Sequence, residues 1–192
     1  MPVECEVNLS QNSADFTNLV KQKQLLRQQV LARRAKLTKE ERAKASARAT
    51  ANFLERIELG QIELGQAANV ALFWPIGDEI DTKELISALR AQGHNIGLPV
   101  IMGAGLPLVF RLWDTVSELI PAPFGTRIPP DNAPIMTPSH IVVPLAGIDG
   151  NGGRLGYGKG FYDMTIATFV PRPLLIGFAF AAQKLEFVPQ SP

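Results

Sequence analysis

The feature that most restricts this chain is a series of apolar stretches too short to be helices, separated by segments with helical periodicity. "NVALFWP" near residues 69–75, "NIGLPV", "LPLVFRLW", "HIVVPLAG" from His140 to Gly147 and "RPLLIGFAFA" each read as a strand, the last two as buried ones. Between and before them lie amphipathic patterns. "NLVKQKQLLRQQVLARRAKL" sets Leu19, Leu26, Val30 and Leu37 at helical spacings among Lys and Arg. "TKEERAKASARATANFLERIEL" opens with Thr38 and Glu41 in capping-box register, and "DTKELISALRAQG" repeats that register with Asp81 and Glu84 before ending at Gly93. "DTVSELI" predicts one or two helical turns, and "FYDMTIATF" a helix after the glycine-rich segment. Apolar strands joined by helices need cover on both faces. The expected fold is therefore a three-layer α/β/α arrangement around a mainly parallel or mixed sheet, Rossmann-like in plan.

With 192 residues, 46% of them apolar, the chain can supply one core without metals or disulfides. A single domain over residues 18–192, after a flexible lead-in over residues 1–17, is expected. The proline-rich stretch 121–138 reads as an ordered crossing loop, because proline fixes the backbone within it. A net charge of +1 offers no global field for nucleic acid or an anionic membrane, so neither is expected as a partner. Cys5 is the one cysteine, which excludes an intrachain disulfide, and His94 and His140 are too scattered to suggest zinc. The N-terminus carries acids where a signal peptide has cations, and no apolar run reaches the roughly eighteen residues of a membrane helix. A cytoplasmic protein is the expectation.

"GGRLGYGKGFYD", residues 152–163, carries the densest chemistry. It meets the Walker A pattern from Gly153 to Lys159 but has Gly160 where the magnesium-binding hydroxyl belongs, and it lacks the third glycine of a dinucleotide fingerprint at Phe161. What remains is a turn of small residues that exposes N–H groups to anion oxygens, with a following helix adding its positive end. Arg154 and Lys159 complement phosphate, and Asp163 has the sign for Mg²⁺. A mobile hairpin with Asp163 as a helix cap stays open as the plainer reading. A second cluster, "FWPIGDEIDT", follows a strand end and crowds Asp78, Glu79 and Asp81 together. One of these acids can cap the next helix, leaving Glu79 to accept hydrogen bonds from a heterocycle. Trp74 beside it can be core, ligand platform or both. Lys23 and Arg27, four residues apart, share a helix face that is either solvated or set against a polyphosphate.

"KQLLR", "ALFWPIGDEIDT", "VVPLAGIDGNGGRLGYGKGFYD" and "GFAFAAQKLEFVP" occur in that order over about residues 21–189. Together they resemble the 5-formyltetrahydrofolate cyclo-ligase family, also called 5,10-methenyltetrahydrofolate synthetases. The resemblance implies an enzyme that binds ATP, Mg²⁺ and the reduced folate in one cleft, with no obligate protein partner. Lys23 and Arg27 would meet ATP phosphates, and the nucleotide loop would be Arg154, Leu155, Gly156, Tyr157, Gly158, Lys159, Gly160, Phe161 and Tyr162. Lys159 and Arg154 would serve the reacting group, and Asp163 would hold magnesium. Trp74 and Glu79, with Tyr157, Gly158, Lys159, Gly160 and Phe161, would contact the folate. The implied chemistry is attack of the N5-formyl oxygen on the γ-phosphate, closure by N10 and loss of phosphate. In "FGTRIPP", Thr126 and Ile128 stand where the family has Ile and Glu. "EFVPQSP" ends the sequence where the resemblance leads one to expect a further segment with a second magnesium-binding aspartate. From the residues alone, a phosphate-binding isomerase or transferase with Glu79 or Asp149 as base, and a nucleotide-binding regulatory protein, remain alternatives.

Overall fold

The computed structural model describes residues 9–190, with side chains from residue 16. Cys5 lies outside the described residues. In chain order the elements are α1 (Leu9–Ala35), α2 (Lys39–Glu58), β1 (Asn69–Ala71), α3 (Lys83–Ala91), β2 (Asn95–Ile101), β3 (Leu108–Leu112), β4 (Ile120–Pro121), β5 (Arg127–Ile128), β6 (His140–Val143), β7 (Gly147–Ile148), β8 (Arg154–Leu155), α4 (Phe161–Ala167) and β9 (Leu174–Gly177). The central sheet has the order β3-β2-β1-β6-β9. β1 pairs parallel with β2 and β6, β6 pairs parallel with β9, and β3 returns antiparallel on β2, so the sheet is mixed. β4 with β5, and β7 with β8, form two small hairpins.

Strand alternation separates the two faces. Val70, Leu72, Ile96, Leu98 and Val142 pack with Phe53 of α2 and with Leu85, Ile86 and Leu89 of α3. Ala71, Phe110, Ile141 and Val143 face the other way, against Ile166 of α4. These helical faces on both sides make the three layers. A third cluster joins Val30 of α1 to Ala146, Leu155 and Val188, which fastens α1 across the glycine segment rather than onto the sheet. No helix among the described residues is long and apolar enough to cross a membrane.

Several local expectations change. α1 already includes Leu9, the first described residue and inside the expected lead-in, and the stretch up to Ala35 contains neither Pro nor Gly to stop it. "DTVSELI" forms no helix. The Asp114 carboxylate accepts from the N–H groups of Val116 and Ser117, and Thr115 takes φ 63°, which makes a turn. The capping box of α2 forms as read, with Thr38 and Glu41 exchanging hydrogen bonds. That of α3 does not: the Asp81 carboxylate accepts from Lys83 N–H, and Thr82 turns inward to donate to the Phe73 carbonyl at 2.6 Å. β9 is an edge strand, half-exposed at Leu174, rather than a buried one. The proline-rich loop is ordered as expected, built on the β4–β5 hairpin and stitched to β3 through Leu112 N–H and the Pro134 carbonyl.

Candidate functional site

A cavity of about 720 Å³ opens where β1 and β6 end, the crevice that open α/β sheets offer to ligands. Its walls come from α1, the acidic loop after β1, the proline-rich loop and the glycine segment. Lys23, Arg27, Trp74, Glu79 and the run from Arg154 to Asp163 line it, whereas Asp81 and Asp149 do not. Residues far apart in the chain, read separately, thus meet around one volume.

On α1, Lys23, Arg27 and Arg34 fall at helical spacing on the side that also carries Val30. Burying Val30 against Leu155 and Ala146 turns the cations toward the glycine segment. Arg27 Nε donates to the Gly156 carbonyl at 2.7 Å. Partial burial of Arg27 lowers its pKa, yet the guanidinium remains charged. At Gly158 two demands coincide: φ is +93°, and a Cβ there would lie 3.5 Å from Arg27 Cζ.

The glycine segment is anchored upstream by Asp149. Its Oδ1 accepts from Asn151 and Gly153 N–H, and its Oδ2 accepts from Val188 N–H at 2.8 Å. These backbone donors hold the Asp149 carboxyl below its ordinary range. It lies outside the cavity and is committed to structure, so it offers no general base. Because the folded-state pKa is depressed, the stability Asp149 contributes is present above its unfolded value of about 4 and is lost as pH falls through the folded value. Asp149→Asn is expected to lower the Tm at neutral pH, and the gap to wild type should shrink in acid. Melts across pH that leave the gap constant contradict this.

From Tyr157 to Gly160 the backbone N–H groups donate to no backbone carbonyl among the described residues, and Gly158 and Gly160 both take positive φ. The segment is an exposed row of donors. α4 has only seven residues, so these loop N–H groups, rather than the expected helix dipole, are what the site offers an anion. Lys159 Nζ sits 6.0 Å from the Phe124 ring centroid and makes no ion pair among the described residues. Arg154 pairs with Asp163, whose side chain is 73% exposed. An exposed pair of this kind contributes little, so both partners are available to a ligand.

The acidic loop divides its carboxylates. Asp78 accepts from Arg34, Asp81 caps and pairs with Lys83, and Glu79 accepts from Ile76 N–H at 2.9 Å. Burial pushes the Glu79 carboxyl up, opposed by the nearby Tyr157 phenol, by the hydrogen bond from Ile76 N–H and by the Arg34 charge. Trp74 is both core and cavity wall: it meets Trp113 edge-on at 5.7 Å and lines the cavity. Tyr157 and Tyr162 are raised by burial and by the Glu79 charge, so both phenols stay protonated. His94 and His140 serve the backbone, accepting from Ala68 N–H and contacting the Glu63 carbonyl respectively.

Among the described residues no three His, Cys, Asp or Glu side chains gather as a metal cage. Asp163 on the cavity wall still suits Mg²⁺, which takes one or two carboxylates and completes its shell with phosphate oxygens and water. Among the wall residues that the sequence reading missed are Arg34, Phe124 and Arg127. Arg34 was legible as the next cation on the Lys23–Arg27 face. Phe124 and Arg127 were not, because only the fold of the proline-rich loop brings them to the cavity.

The family model that matches residues 19–192 is that of the 5-formyltetrahydrofolate cyclo-ligase family. The 5-formyltetrahydrofolate cyclo-ligase of Haemophilus influenzae is 33% identical over 137 residues, covering 68% of this chain and 73% of its own. That of Mycolicibacterium smegmatis is 31% identical over 134 residues, 64% of this chain and 67% of its own. Among solved structures, the Aquifex aeolicus 5,10-methenyltetrahydrofolate synthetase superposes with a TM-score of 0.70 at 28% identity, over 88% of this chain and 84% of that one. The Mycoplasma pneumoniae 5,10-methenyltetrahydrofolate synthetase shares the fold, with a TM-score of 0.68 at 19% identity, over 88% and 91%.

Proposed function

The chain belongs to the 5-formyltetrahydrofolate cyclo-ligase family, and on that premise we propose that its one large described cavity seats ATP against the glycine segment and the reduced folate against Trp74 and Glu79. The reaction is the ATP- and magnesium-dependent cyclisation of 5-formyltetrahydrofolate to 5,10-methenyltetrahydrofolate, with release of ADP and phosphate. The observation that carries the arrangement is convergence: α1 cations, unbonded loop N–H groups and a buried carboxyl face the same volume.

The chemical difficulty is that an amide oxygen is a poor nucleophile and a worse leaving group. In this reading, bond formation from the N5-formyl oxygen to the γ-phosphorus, with departure of ADP, turns that oxygen into part of a phosphate ester. N10 then adds its lone pair to the formyl carbon, the carbon–oxygen bond breaks to free phosphate, and N10 gives up its proton. No side-chain nucleophile is needed, so the protein's task is alignment and charge stabilisation. Lys23 and Arg27 hold the polyphosphate, with the N–H groups of Tyr157 to Gly160. Lys159 and Arg154 face the transferring group, and Glu79 accepts from the pterin amino and imino groups. Asp163 would hold Mg²⁺, which when bound neutralises charge on the phosphate oxygens.

Two variants separate the halves of the cavity. Glu79→Gln is expected to raise KM for the folate on the order of tenfold with KM for ATP little changed, since it removes charge-assisted hydrogen bonds. Arg27→Ala is expected to do the reverse. Steady-state kinetics in which both variants move the same constant would overturn the assignment of the two ends.

A further inference from the structure

Arg34 is the most deeply buried cation of the cavity wall, at 6% exposure, and the reaction as assigned makes no use of it. Its NH2 donates to Asp78 Oδ1 at 2.6 Å and its NH1 to the Tyr157 hydroxyl at 2.5 Å, while its Nε is buried with no partner. The bond to Asp78 alone would explain a guanidinium that merely fastens α1 to the acidic loop. The bond to Tyr157 has a further consequence. A guanidinium can only donate, so the Tyr157 oxygen is held as an acceptor and must send its own proton elsewhere. Glu79 carries the one carboxyl lining the small void that Arg34 and Tyr157 also line, so it is the acid placed to take that proton.

We propose that Arg34 is a positioning residue for folate binding: by gripping the Tyr157 oxygen and the Asp78 carboxylate, it aims the Tyr157 O–H at Glu79 and keeps that acid an acceptor. The inference rests on the assignment of Glu79 to the pterin. It gives Tyr157, which belongs to the glycine segment, a second duty as the link between the phosphate loop and the folate acid. Four groups face Glu79. Asp78 is its neighbour in the acidic loop, Arg34 comes from α1, Tyr157 from the glycine segment and Tyr162 from α4. Burial and the Asp78 charge favour the protonated acid. Tyr157, Ile76 N–H and Arg34 favour the carboxylate. Removing the Tyr157–Arg34 side of this balance moves Glu79 toward protonation at a higher pH, where it can no longer accept both pterin donors.

The test is kcat and KM for 5-formyltetrahydrofolate as a function of pH in wild type, Tyr157→Phe, Arg34→Met, Arg34→Lys and Glu79→Gln. Tyr157→Phe keeps the ring and deletes only the hydroxyl. It is expected to raise folate KM on the order of tenfold near neutrality and to move the acidic limb of kcat/KM to higher pH. KM for ATP should stay near the wild-type value. Arg34→Met should move the limb further, and Arg34→Lys, which retains charge without the fork, should recover only part of the shift. Glu79→Gln should abolish the limb. If Arg34→Met does not fold, Tyr157→Phe decides alone. A folded Tyr157→Phe with the wild-type limb and wild-type folate KM overturns the relay while leaving Glu79 in place. A Glu79→Gln enzyme with unchanged folate KM overturns the Glu79 assignment itself.

Discussion

Lys159→Ala is expected to lower kcat by about a hundredfold or more, with the fold intact and both KM values changed far less. The reason lies in what the ammonium touches. It lines the cavity from the glycine segment, lies 6.0 Å from the Phe124 ring centroid, and forms no ion pair among the described residues. A cation left without a protein counter-ion at the wall of the proposed phosphate site is free to follow charge as it develops. In phosphoryl transfer that charge spreads over the oxygens of the moving group and is greatest at the transition state. Truncation therefore removes more stabilisation from the transition state than from bound ATP, and the loss falls on kcat. Lys159→Arg should recover part of it, because a fork carries the same charge from a different position. Thermal melts matching wild type would show that stability is unaffected, as the exposure of Lys159 implies. A Lys159→Ala enzyme whose defect lies wholly in KM for ATP would reassign the residue to ground-state binding.

Asp163→Asn is the second large effect. Its carboxylate stands in the first turn of α4 at the cavity wall, paired among the described residues with Arg154. In the proposed site Asp163 would hold Mg²⁺ with phosphate oxygens and water as the other ligands, so loss of this one charge is expected to weigh heavily. The magnesium concentration for half-maximal rate is expected to rise on the order of tenfold or more, with folate KM unchanged. Part of the defect should yield to excess Mg²⁺. Breaking the pair with Arg154 should cost little stability, as it does for exposed ion pairs in general. A magnesium titration that superposes on wild type removes Asp163 from the metal site.

Layer architecture was legible because burial on two faces writes itself into strands as continuous apolar runs, such as "HIVV" in β6, and into α3 as a spaced stripe at Leu85 and Leu89. Helix ends were legible only where the cap is local. Thr38 and Glu41 close the box of α2, but at α3 the Thr82 hydroxyl is drawn to the Phe73 carbonyl and the box is lost. "DTVSELI" had helical composition, and Asp114 accepts from Val116 and Ser117 N–H as a cap would, but Thr115 takes φ 63°, which turns the chain off the helical path. At the site, spacing singled out Lys23 with Arg27, and motif matching the run from Arg154 to Asp163. That these meet Glu79 across one cavity is a product of α1 docking through Val30 on Leu155 and Val188, a long-range contact with no local signature. Phe124 and Arg127 were hidden for the same reason.

The central claim is that one cavity couples ATP to closure of the folate ring. Its most direct measurement is to mix the protein with 5-formyltetrahydrofolate, ATP and Mg²⁺ and to follow methenyl absorbance and ADP in the same reaction. The expected result is methenyl product and ADP in equal amounts, with neither formed when folate or ATP is left out. ADP released without methenyl product, or methenyl product formed without ATP, would contradict the account.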